Sequence, residues 1–581
     1  KFMDKHVHLM VINSLQREGI VVRDIKRTHV KTLMDDYYQY SVKIIPVVGQ
    51  ESTINFKIPR VTSDGTMQAR NVKIRMRKQR ADLPIRKLSY DKVAMTSYHS
   101  KLFVTRSPRM TNNYDKWITK QIYEGTLLEQ PTVSDLAYGN VFDPELRAPR
   151  AYTSIAKTYT GFKCGDKGQY HLIFDHHAFK PEQVVEHKIK KGEQPCGTVN
   201  NKLIVIDDLG ILTWVKGEQR GIIGTLESII GVPDDAKRPI GMIDVGPVAG
   251  KDIPLGFLLG YYIGLGNLLE TLKIPHRRVN KGQRMNLESG EFAIRFADQT
   301  LIIKSTDTIN TMLLNGFNRY KNEIANISIW EFDKKDGFEK VFDTNDIRTR
   351  HLQRLQQIRT NWIDPITYDI LVEMNYPVDM VFLLLEAAKL LEFDDHPDEN
   401  DIAHSRVRGY ERVSGMVYSS MMDALSTYHS RPNNPNAKVT INPEEVWYSV
   451  TTDQTTAPVD DSNPVQSVKD RSVVVFSGLG GRSGQTMTAK HRRFHKSGVG
   501  VISSDTVDSG DVATITYLSA NPQFKSIYGT TGKLDKPNGN AAATFSESML
   551  LCPGAKYDDS KRINFLNRSE ERRVGKECLR L

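Results

Sequence analysis

Residues that could bind phosphate are concentrated in one stretch of the chain, Phe476–Ser504. The stretch opens with a glycine cluster, and glycine lets the backbone take positive φ angles and approach a ligand closely. Its cations could neutralise phosphate groups. We predict that six of its side chains contact nucleic acid, namely Arg482, Lys490, His491, Arg492, Arg493 and Lys496. A solvated turn with an exposed charged face explains the same residues about as well.

A second cationic pattern lies in the N-terminal part of the chain, at Asn71–Arg77. Apolar and cationic residues alternate there, which is the period of a β-strand with two unlike faces. We predict that the cationic face contacts the nucleic-acid backbone through Lys73, Arg75 and Arg77. A solvated sheet face is the alternative, and it fits the pattern equally well.

Other chemistries lack the spacing that they require. The cluster Gly478–Gly484 has no Gly-Lys-Ser/Thr ending, which leaves a P-loop-like phosphotransferase as the less favoured alternative. Gly264-Leu265-Gly266 lacks the third glycine of a dinucleotide-binding turn. The acids of Asp394–Asp401 fit no calcium loop and are more typical of a helix-capping loop. The cysteines show no zinc spacing, so we predict no metal site in this chain.

Composition and charge limit the class of protein. The chain has 581 residues, enough for several domains, and its 39% hydrophobic and 25% charged content is that of a globular protein. A net charge of +10 favours an anionic partner, either nucleic acid or a phospholipid surface. Four scattered cysteines without a Cys-x-x-Cys pair suggest a reducing compartment.

Both helices and strands must position these residues, which predicts an α+β, multidomain protein. Apolar residues at helical spacing predict helix within Lys1–Asp35, and alternation predicts sheet in Tyr40–Thr66. Further strands are predicted at Leu203–Asp207, Ile211–Val215, Thr514–Leu518 and Lys525–Tyr528. Further helices are predicted at Arg348–Trp362 and Val378–Leu391, and polar connectors at Ser430–Pro443 and Thr451–Pro464.

One long apolar run, Ile253–Leu269, could be a short membrane span or a buried helix. It has 17 residues without a charge, whereas a span usually needs about 20. Four glycines interrupt it and charged residues flank it directly, so we predict a buried core helix and no membrane.

Four segments, in order along the chain, resemble the β subunits of multisubunit RNA polymerases, particularly those of giant bacteriophages. Ile58–Arg106 is similar to the protrusion, and Asp460–Gly481 (DDSNPVQSVKDRSVVVFSGLGG) resembles the fork region with its LGPGG-like turn. Arg406, Arg408 and Glu411 match a family segment that opens a long helix. Leu550–Asn567 resembles a motif with an Asp-Asp pair followed by arginine.

The resemblance implies protrusion and lobe domains followed by a mixed fork region. The expected domains are the first half of the protrusion at 1–142, a lobe insertion at 143–392 and the second half of the protrusion at 393–450. The fork and the start of the β core would follow at 451–567. Residues 568–581 read like a translated sequencing adapter, so we expect them to be an artefact and the chain to be truncated or split near residue 567.

The resemblance also implies a mechanism. Multisubunit polymerases transfer nucleotides with two Mg²⁺ ions, which an aspartate triad of the β′ subunit holds. No Asp-x-Asp-x-Asp occurs in this sequence, so we expect no catalytic residue here and no activity of the chain alone. The counterparts of Arg562 and Lys561 would bind the incoming nucleotide.

The expected partners are β′-type subunits, the C-terminal part of β, the DNA template and the RNA transcript. Giant phages often encode that C-terminal part as a separate polypeptide. The protein would act in the cytoplasm of an infected bacterium or be packaged in the virion. A non-catalytic, basic nucleic-acid-binding or DNA-packaging phage protein is the alternative function, because the cationic patterns alone would suffice for it.

Overall fold

The chain folds as a mixed α+β protein with several sheets, as the sequence predicts. The computed structural model describes residues 2–89, 91–107, 159–164, 170–174, 193–199, 202–207, 211–225, 242–248, 250–281, 283, 291–304, 307–345, 349–392, 398, 400–430, 436–459, 464–478, 480–481, 487, 491–507, 511–531, 541–551 and 557.

The N-terminal residues form a helix that packs with a three-stranded antiparallel sheet. Val7, Met10, Val11 and Leu15 are buried because their spacing places them on one stripe of the helix. The helix gives way to the sheet at Gly19, whose φ of 73° suits the residue after a helix end. These elements are α1 (Phe2–Arg17), β1 (Val21–Lys31), β2 (Asp36–Ile45) and β3 (Ser52–Pro59).

A tight hairpin follows and brings the predicted cationic strand into a small sheet. Arg70 and Asn71 form its two-residue turn, with φ angles of 52° and 61°, as a type I′ turn requires. A strand from much later in the chain pairs with the other side of the hairpin. The sheet contains β4 (Met67–Ala69), β5 (Val72–Met76) and β22 (Thr456–Pro458) in the order β22-β5-β4.

A four-stranded sheet joins distant parts of the chain next to the glycine cluster. Its order is β21-β6-β23-β24, and β23 runs parallel to β6 while the other neighbours are antiparallel. The last residue of β23 comes three positions before Gly478, so this sheet positions the glycine turn. The strands are β6 (Lys78–Asp82), β21 (Ser405–Arg408), β23 (Val473–Val475) and β24 (Ile515–Tyr517).

The described residues of the central part of the chain form four further sheets. The largest has five strands in the order β17-β16-β9-β8-β7, which are β7 (Ile85–Ser89), β8 (Lys92–Thr96), β9 (Lys101–Ser107), β16 (Met242–Val248) and β17 (Lys251–Pro254). The others comprise β10 (Tyr159–Cys164), β11 (Tyr170–Phe174), β12 (Glu193–Val199), β13 (Lys202–Asp207), β14 (Ile211–Lys216), β15 (Gln219–Thr225), β18 (His276–Asn280), β19 (Glu291–Arg295) and β20 (Gln299–Lys304).

The helices after α1 lie mostly in the second half of the described residues. They are α2 (Leu255–Ile263), α3 (Leu265–Thr271), α4 (Thr308–Asn315), α5 (Lys321–Ile324), α6 (Lys335–Thr344), α7 (Thr349–Asn361), α8 (Pro365–Glu373), α9 (Met380–Lys389), α10 (Glu411–His429), α11 (Glu445–Thr451), α12 (Pro464–Ser472), α13 (Ala541–Thr544) and α14 (Glu547–Leu550). The predicted helices at Arg348–Trp362 and Val378–Leu391 correspond to α7 and α9, which confirms them.

The described residues form two large hydrophobic cores. The N-terminal core joins buried residues of 7–83 to those of 413–450, together with Ile366 and Ile370. The central core contains buried residues of 85–391. The chain thus leaves one core, builds a second and returns, which is the path of an insertion. The central core already begins at Ile85, whereas the predicted lobe begins at residue 143; the domain limits stay a prediction.

The long apolar run is buried in the central core, which confirms the prediction of a core segment. It forms two helices, α2 and α3, because Gly264 takes a φ of 87° between them. A Cβ at Gly264 would also lie 2.7 Å from the carbonyl oxygen of Asp333. None of the helices in the described part of the chain is both long and apolar enough to cross a membrane.

The helix predicted within Lys1–Asp35 is confirmed as α1, which ends at Arg17 because the β-branched residues after Gly19 form β1. Two predictions of local structure are wrong. Lys525–Tyr528 is a turn, since the N–H of Gly529 donates to the carbonyl of Ser526 and closes it. Thr451–Pro464 is not a simple loop, because it contains β22 and the start of α12.

Candidate nucleic-acid interface

The glycine turn after β23 is packed tightly against the protein itself. Gly478 has a φ of 103°, and a Cβ there would lie 2.5 Å from the Thr455 methyl group. A Cβ at Gly481 would lie 2.2 Å from the carbonyl oxygen of Phe476 and 2.4 Å from Nε2 of Gln79. The glycines are therefore required for the approach of neighbouring protein groups, in addition to any ligand.

Buried polar side chains support this turn from beneath. Gln79 is fully buried, and its amide donates to the carbonyl of Ser477 at 2.8 Å. Nε of Arg408 donates to Oε1 of Gln79 at 2.6 Å. A Cβ at Gly480 would lie 2.9 Å from the guanidinium of Arg408. The turn is thus held by a hydrogen-bonded chain of two side chains from β6 and β21.

Two further arginines connect this support to α10. Arg406 and Glu411 form a buried salt bridge at 3.0 Å. Arg412 donates to Thr455 at 2.9 Å and to the carbonyl of Arg77. Burial and the nearby Arg408 lower the pKa of Arg412 to about 10, so its guanidinium stays charged at neutral pH. The residues that match the family segment therefore build the frame of the site and do not face solvent.

The described part of the basic block, His491–Lys496, lies in turns and coil; we call it the basic loop. Arg493 and Lys496 are exposed, and Phe494 between them is 54% exposed. His491 is half-buried. An exposed aromatic ring beside cations can stack on a nucleic-acid base while the cations bind phosphates.

Arg492 has a different role from its neighbour Arg493. Its guanidinium donates to the carbonyl oxygens of Met487 at 3.5 Å and Val512 at 3.1 Å. These bonds connect the basic loop to the segment before β24. Arg492 was predicted to contact nucleic acid, but the hydrogen bonds give it a structural role in the loop.

The other end of the loop is anchored to the segment before β21. Ser497 accepts a hydrogen bond from the N–H of Ile402 at 3.0 Å, and His495 lies 3.8 Å from the carboxylate of Asp401. Burial would raise the pKa of Asp401, but hydrogen bonds from Ser497 and Ala403 and the two nearby histidines lower it. Asp401 is therefore ionised at neutral pH and helps to hold the loop.

A narrow groove runs beside the basic loop. It is lined by Arg80, His491, Arg493, Phe476 and Phe494, among others, and its volume is about 30 Å³. That volume is close to the volume that one water molecule occupies in the liquid. A nucleic acid would therefore lie across the rim of the groove and not inside it. The guanidinium of Arg80 stacks over Phe476 at 5.1 Å and also bonds to the carbonyl of Asn400.

The cationic strand β5 is largely covered. Arg75 is 7% exposed and donates to the carbonyl of Ser467 in α12 at 3.3 Å. Arg77 lies 3.9 Å from Asp470 of the same helix. A nucleic-acid contact and a solvated sheet face both required the cationic face of this strand to be open. The helix α12 covers that face at these two arginines.

Lys73 is the exposed cation of this strand. It forms a salt bridge with Asp64 at 3.4 Å. Hydrogen bonds from Thr62, and more weakly Lys73 itself, hold the pKa of Asp64 below its ordinary value. Lys73 thus remains accessible to a phosphate, although it already has a carboxylate partner.

Four predicted residues lie outside the described residues, namely Arg482, Lys490, Lys561 and Arg562. Among the residues that the structure describes, no group of three or more His, Cys, Asp or Glu could hold a metal ion. Sequence reasoning did not include Phe494 in the site. The exposed phenylalanine within a cationic run was a signal that could have identified Phe494.

Comparison with known proteins gives one family. Residues 1–485 match the model of the bacteriophage RNA polymerase family, so the chain belongs to that family. The matched residues include Gly478, Gly480 and Gly481 and end before the basic loop. No curated protein matched the chain in a sequence search. This family match confirms the resemblance to a phage RNA polymerase. Proteins of this family act in transcription.

Proposed function

We propose that this chain is the β-type, N-terminal subunit of a multisubunit phage RNA polymerase. It would form one wall of the DNA cleft, the downstream fork and part of the nucleotide site. The observation that carries the proposal is the exposed set Arg493, Phe494 and Lys496 on the basic loop, which comes after the glycine turn in the sequence. Membership of the phage polymerase family supports it independently.

The geometry suits a point where DNA strands separate. Phosphate contacts from Arg493 and Lys496 would position the backbone, and the ring of Phe494 would stack on a base that has lost its partner. A loop that holds such a strand must be fixed at both ends. Arg492 and Ser497 provide those two attachments.

The chemistry of nucleotide addition would belong to the partner. We propose that a β′-type subunit holds the Mg²⁺ ions, which stabilise the attacking and leaving oxygens of the transferred phosphate. The sequence of this chain contains no Asp-x-Asp-x-Asp. Arg562 and Lys561 would contact the incoming triphosphate, because both side chains are cationic and the guanidinium of Arg562 also matches the geometry of phosphate oxygens.

The test is reconstitution. The purified chain should bind DNA and make no RNA, and its affinity should fall by roughly 10³ between 50 and 200 mM salt if it makes about six phosphate contacts. Addition of β′-type and C-terminal β polypeptides should restore synthesis. RNA synthesis by the chain after rigorous removal of other subunits would disprove the division of labour.

The nucleotide role of Arg562 has its own experiment. Arg562→Lys keeps a charge for the neighbouring Asp558 or Asp559 but loses the bidentate contact to phosphate. In the assembled enzyme we expect unchanged stability and a lower kcat/KM for nucleotide. The decrease should correspond to roughly 1.5–3 kcal/mol of lost transition-state stabilisation. Unchanged nucleotide kinetics would remove Arg562 from the site.

A further inference from the structure

The strand β1 is the longest edge strand in the part of the chain that the structure describes. It has 11 residues, Val21–Lys31, and among the described strands it pairs with β2 alone. Edge strands are usually short or covered, because their free amide and carbonyl groups can pair with another chain. The length of β1 therefore makes its outer edge a candidate for pairing with a further strand.

The hairpin between β1 and β2 shows which backbone groups face outward. The N–H of Thr32 donates to the carbonyl of Asp35 at 2.8 Å, so these residues form a hydrogen-bonded pair. Bonded and non-bonded pairs alternate along an antiparallel ladder, and the register is regular over 24–31. Four residues therefore direct their N–H and C=O groups away from β2, namely Ile25, Arg27, His29 and Lys31.

Neighbouring contacts agree with this assignment. The carbonyl of Asp36, which lies opposite Lys31, accepts a hydrogen bond from the N–H of Arg60 at 3.0 Å. Asp36 thus directs its backbone groups towards the β3 side of the sheet and not towards β1. No described residue bonds to the outward backbone groups of the four β1 residues. The four consecutive residues of 26–29 are exposed, so the middle of β1 lies at the surface.

The side chains of β1 favour an acidic partner strand. Its sequence contains one acid and four cations, Arg23, Lys26, Arg27 and Lys31. Asp4 and Glu51 pair with the two arginines. Lys26 lies 3.8 Å from Asp24 and its side chain is 70% exposed, so a carboxylate on an added strand could contact it directly. Two paired copies of β1 would bring their cations together, which is unfavourable.

We propose that the outer edge of β1 pairs with an extended, acidic segment of another polypeptide. The segment would add a fourth strand to the sheet of β1, β2 and β3. Its backbone hydrogen bonds would supply most of the affinity, because exposed ion pairs contribute little. A carboxylate opposite Lys26 would fix the register. The proposal does not depend on the role of the basic loop, since it uses none of that loop's residues.

The test is hydrogen exchange at single-residue resolution on two samples. One is the tagged chain produced alone in a heterologous host, and the other is the complex purified through the same tag from the infected cells. The amides of Ile25, Arg27, His29 and Lys31 should exchange at least about 10-fold more slowly in the complex. The amides of Lys26, Thr28 and Val30, which bond to β2, should be slow in both samples.

The other results decide against the proposal. Equal exchange in the two samples would overturn it, as would recovery of the chain from infected cells without another polypeptide. Protection of the same amides in the chain alone would also overturn it. Such protection would assign the edge to a second copy if dilution removed it, and to a segment of this chain if dilution did not.

A proline variant tests pairing through the backbone. Arg27→Pro removes one outward N–H, and proline is tolerated in an edge strand where the N–H faces outward. Arg27→Ala removes the same side chain and keeps the N–H, so it is the matched control. In the complex, Arg27→Pro should reduce the protection of the other three outward amides by about 10-fold relative to Arg27→Ala. Slow exchange of Thr28 would show that the sheet is intact. Equal protection in the two variants would overturn the proposal.

A charge variant tests the acidic character of the partner. Lys26→Glu changes an exposed side chain and should reduce the protection of the outward amides by about 3-fold, because like charges would then face each other. Lys321 is an exposed lysine of α5, and Lys321→Glu makes the same change in charge away from this sheet. It should leave the protection unchanged. Equal protection in the two variants would overturn the assignment of an acidic segment.

Discussion

At the scale of single residues, neighbours of the same chemical type have different roles. Arg492 and Arg493 are adjacent, yet one donates to two backbone carbonyls and the other is exposed. Arg75 and Lys73 share a strand, yet Arg75 is buried under α12 while Lys73 is exposed. Charge alone therefore does not identify a nucleic-acid contact. The direction of the backbone and burial by neighbouring elements determine which cations are accessible.

The two arginines give a matched pair of variants. Arg493→Ala should weaken DNA binding and reduce the slope of log affinity against log salt by about 1, because one phosphate contact is lost. It should not change the melting temperature. Arg492→Ala should lower the melting temperature, since it removes two hydrogen bonds within the protein. Fluorescence anisotropy at several salt concentrations measures the DNA affinity of each variant, and thermal denaturation measures its melting temperature. An unchanged salt slope in Arg493→Ala would exclude it from the interface.

Phe494 should act through stacking. Phe494→Ala should weaken single-stranded DNA binding by about 1–3 kcal/mol and have less effect on duplex, whose bases are already stacked. Phe382 is similarly exposed, at 51%, and lies on α9, so Phe382→Ala is the control. Anisotropy titrations with both kinds of DNA make the comparison. Equal losses in the two variants would argue against a stacking role for Phe494.

At the scale of elements, the site depends on segments that are distant in sequence. The glycine turn rests on β6 and β21, and the salt bridge between Arg406 and Glu411 connects β21 to α10. The turn is possible because glycine accepts both the positive φ and the close contacts. The strands β6 and β21 support the turn, and the exposed basic loop comes after it in the sequence.

The contacts of Gly478 predict a severe effect of any side chain. Gly478→Ala adds a methyl group 2.5 Å from Thr455 at a φ of 103°, and should destabilise the turn by roughly 2–5 kcal/mol. Gly250 also has a positive φ, 85°, but has open space at its Cβ, so Gly250→Ala should cost about 1 kcal/mol. Hydrogen exchange of the β23 amides should accelerate in the first variant only. Equal exchange in both would contradict the packing argument.

The buried salt bridge predicts a non-additive pair of variants. Glu411→Leu leaves the charge of Arg406 buried without its carboxylate and should destabilise the protein by about 3–5 kcal/mol. Arg406→Met should be destabilising for the same reason. The double variant should be closer in stability to the unaltered chain than either single variant. Chemical denaturation completes the cycle, and additive losses would show that the two groups do not interact.

At the scale of the whole molecule, the chain alternates between two cores. Residues 85–391 build the central core between two segments that share the N-terminal core. Polar groups also occur in the packed interior: the turn that contains His99 lies close to Arg354 of α7. The stability of the assembly should therefore respond to the charge of such groups.

His99 predicts the sign of a pH effect on stability. Burial, with a smaller contribution from Arg354, lowers the pKa of His99 from 6.5 to about 4. The unfolded chain then binds the proton more readily than the folded chain, so stability should fall as pH decreases from about 6.5 towards 4. The loss should reach about 3 kcal/mol. His99→Gln should remove this part of the pH dependence in denaturation curves. An identical pH profile in the variant would show that His99 does not titrate as described.

Much of the local structure and the family could be predicted from the sequence. The apolar stripe of α1 and the apolar run at Ile253–Leu269 specify buried elements, because periodicity and composition act locally. The ordered motifs identified a phage RNA polymerase for the same reason, since they are local patterns. The tertiary structure decided which cations remain accessible: α12 covers Arg75, and backbone carbonyls bind Arg492. Ser467 lies 392 positions from Arg75, and Val512 lies 20 positions from Arg492. Periodicity and composition within one element do not contain such contacts.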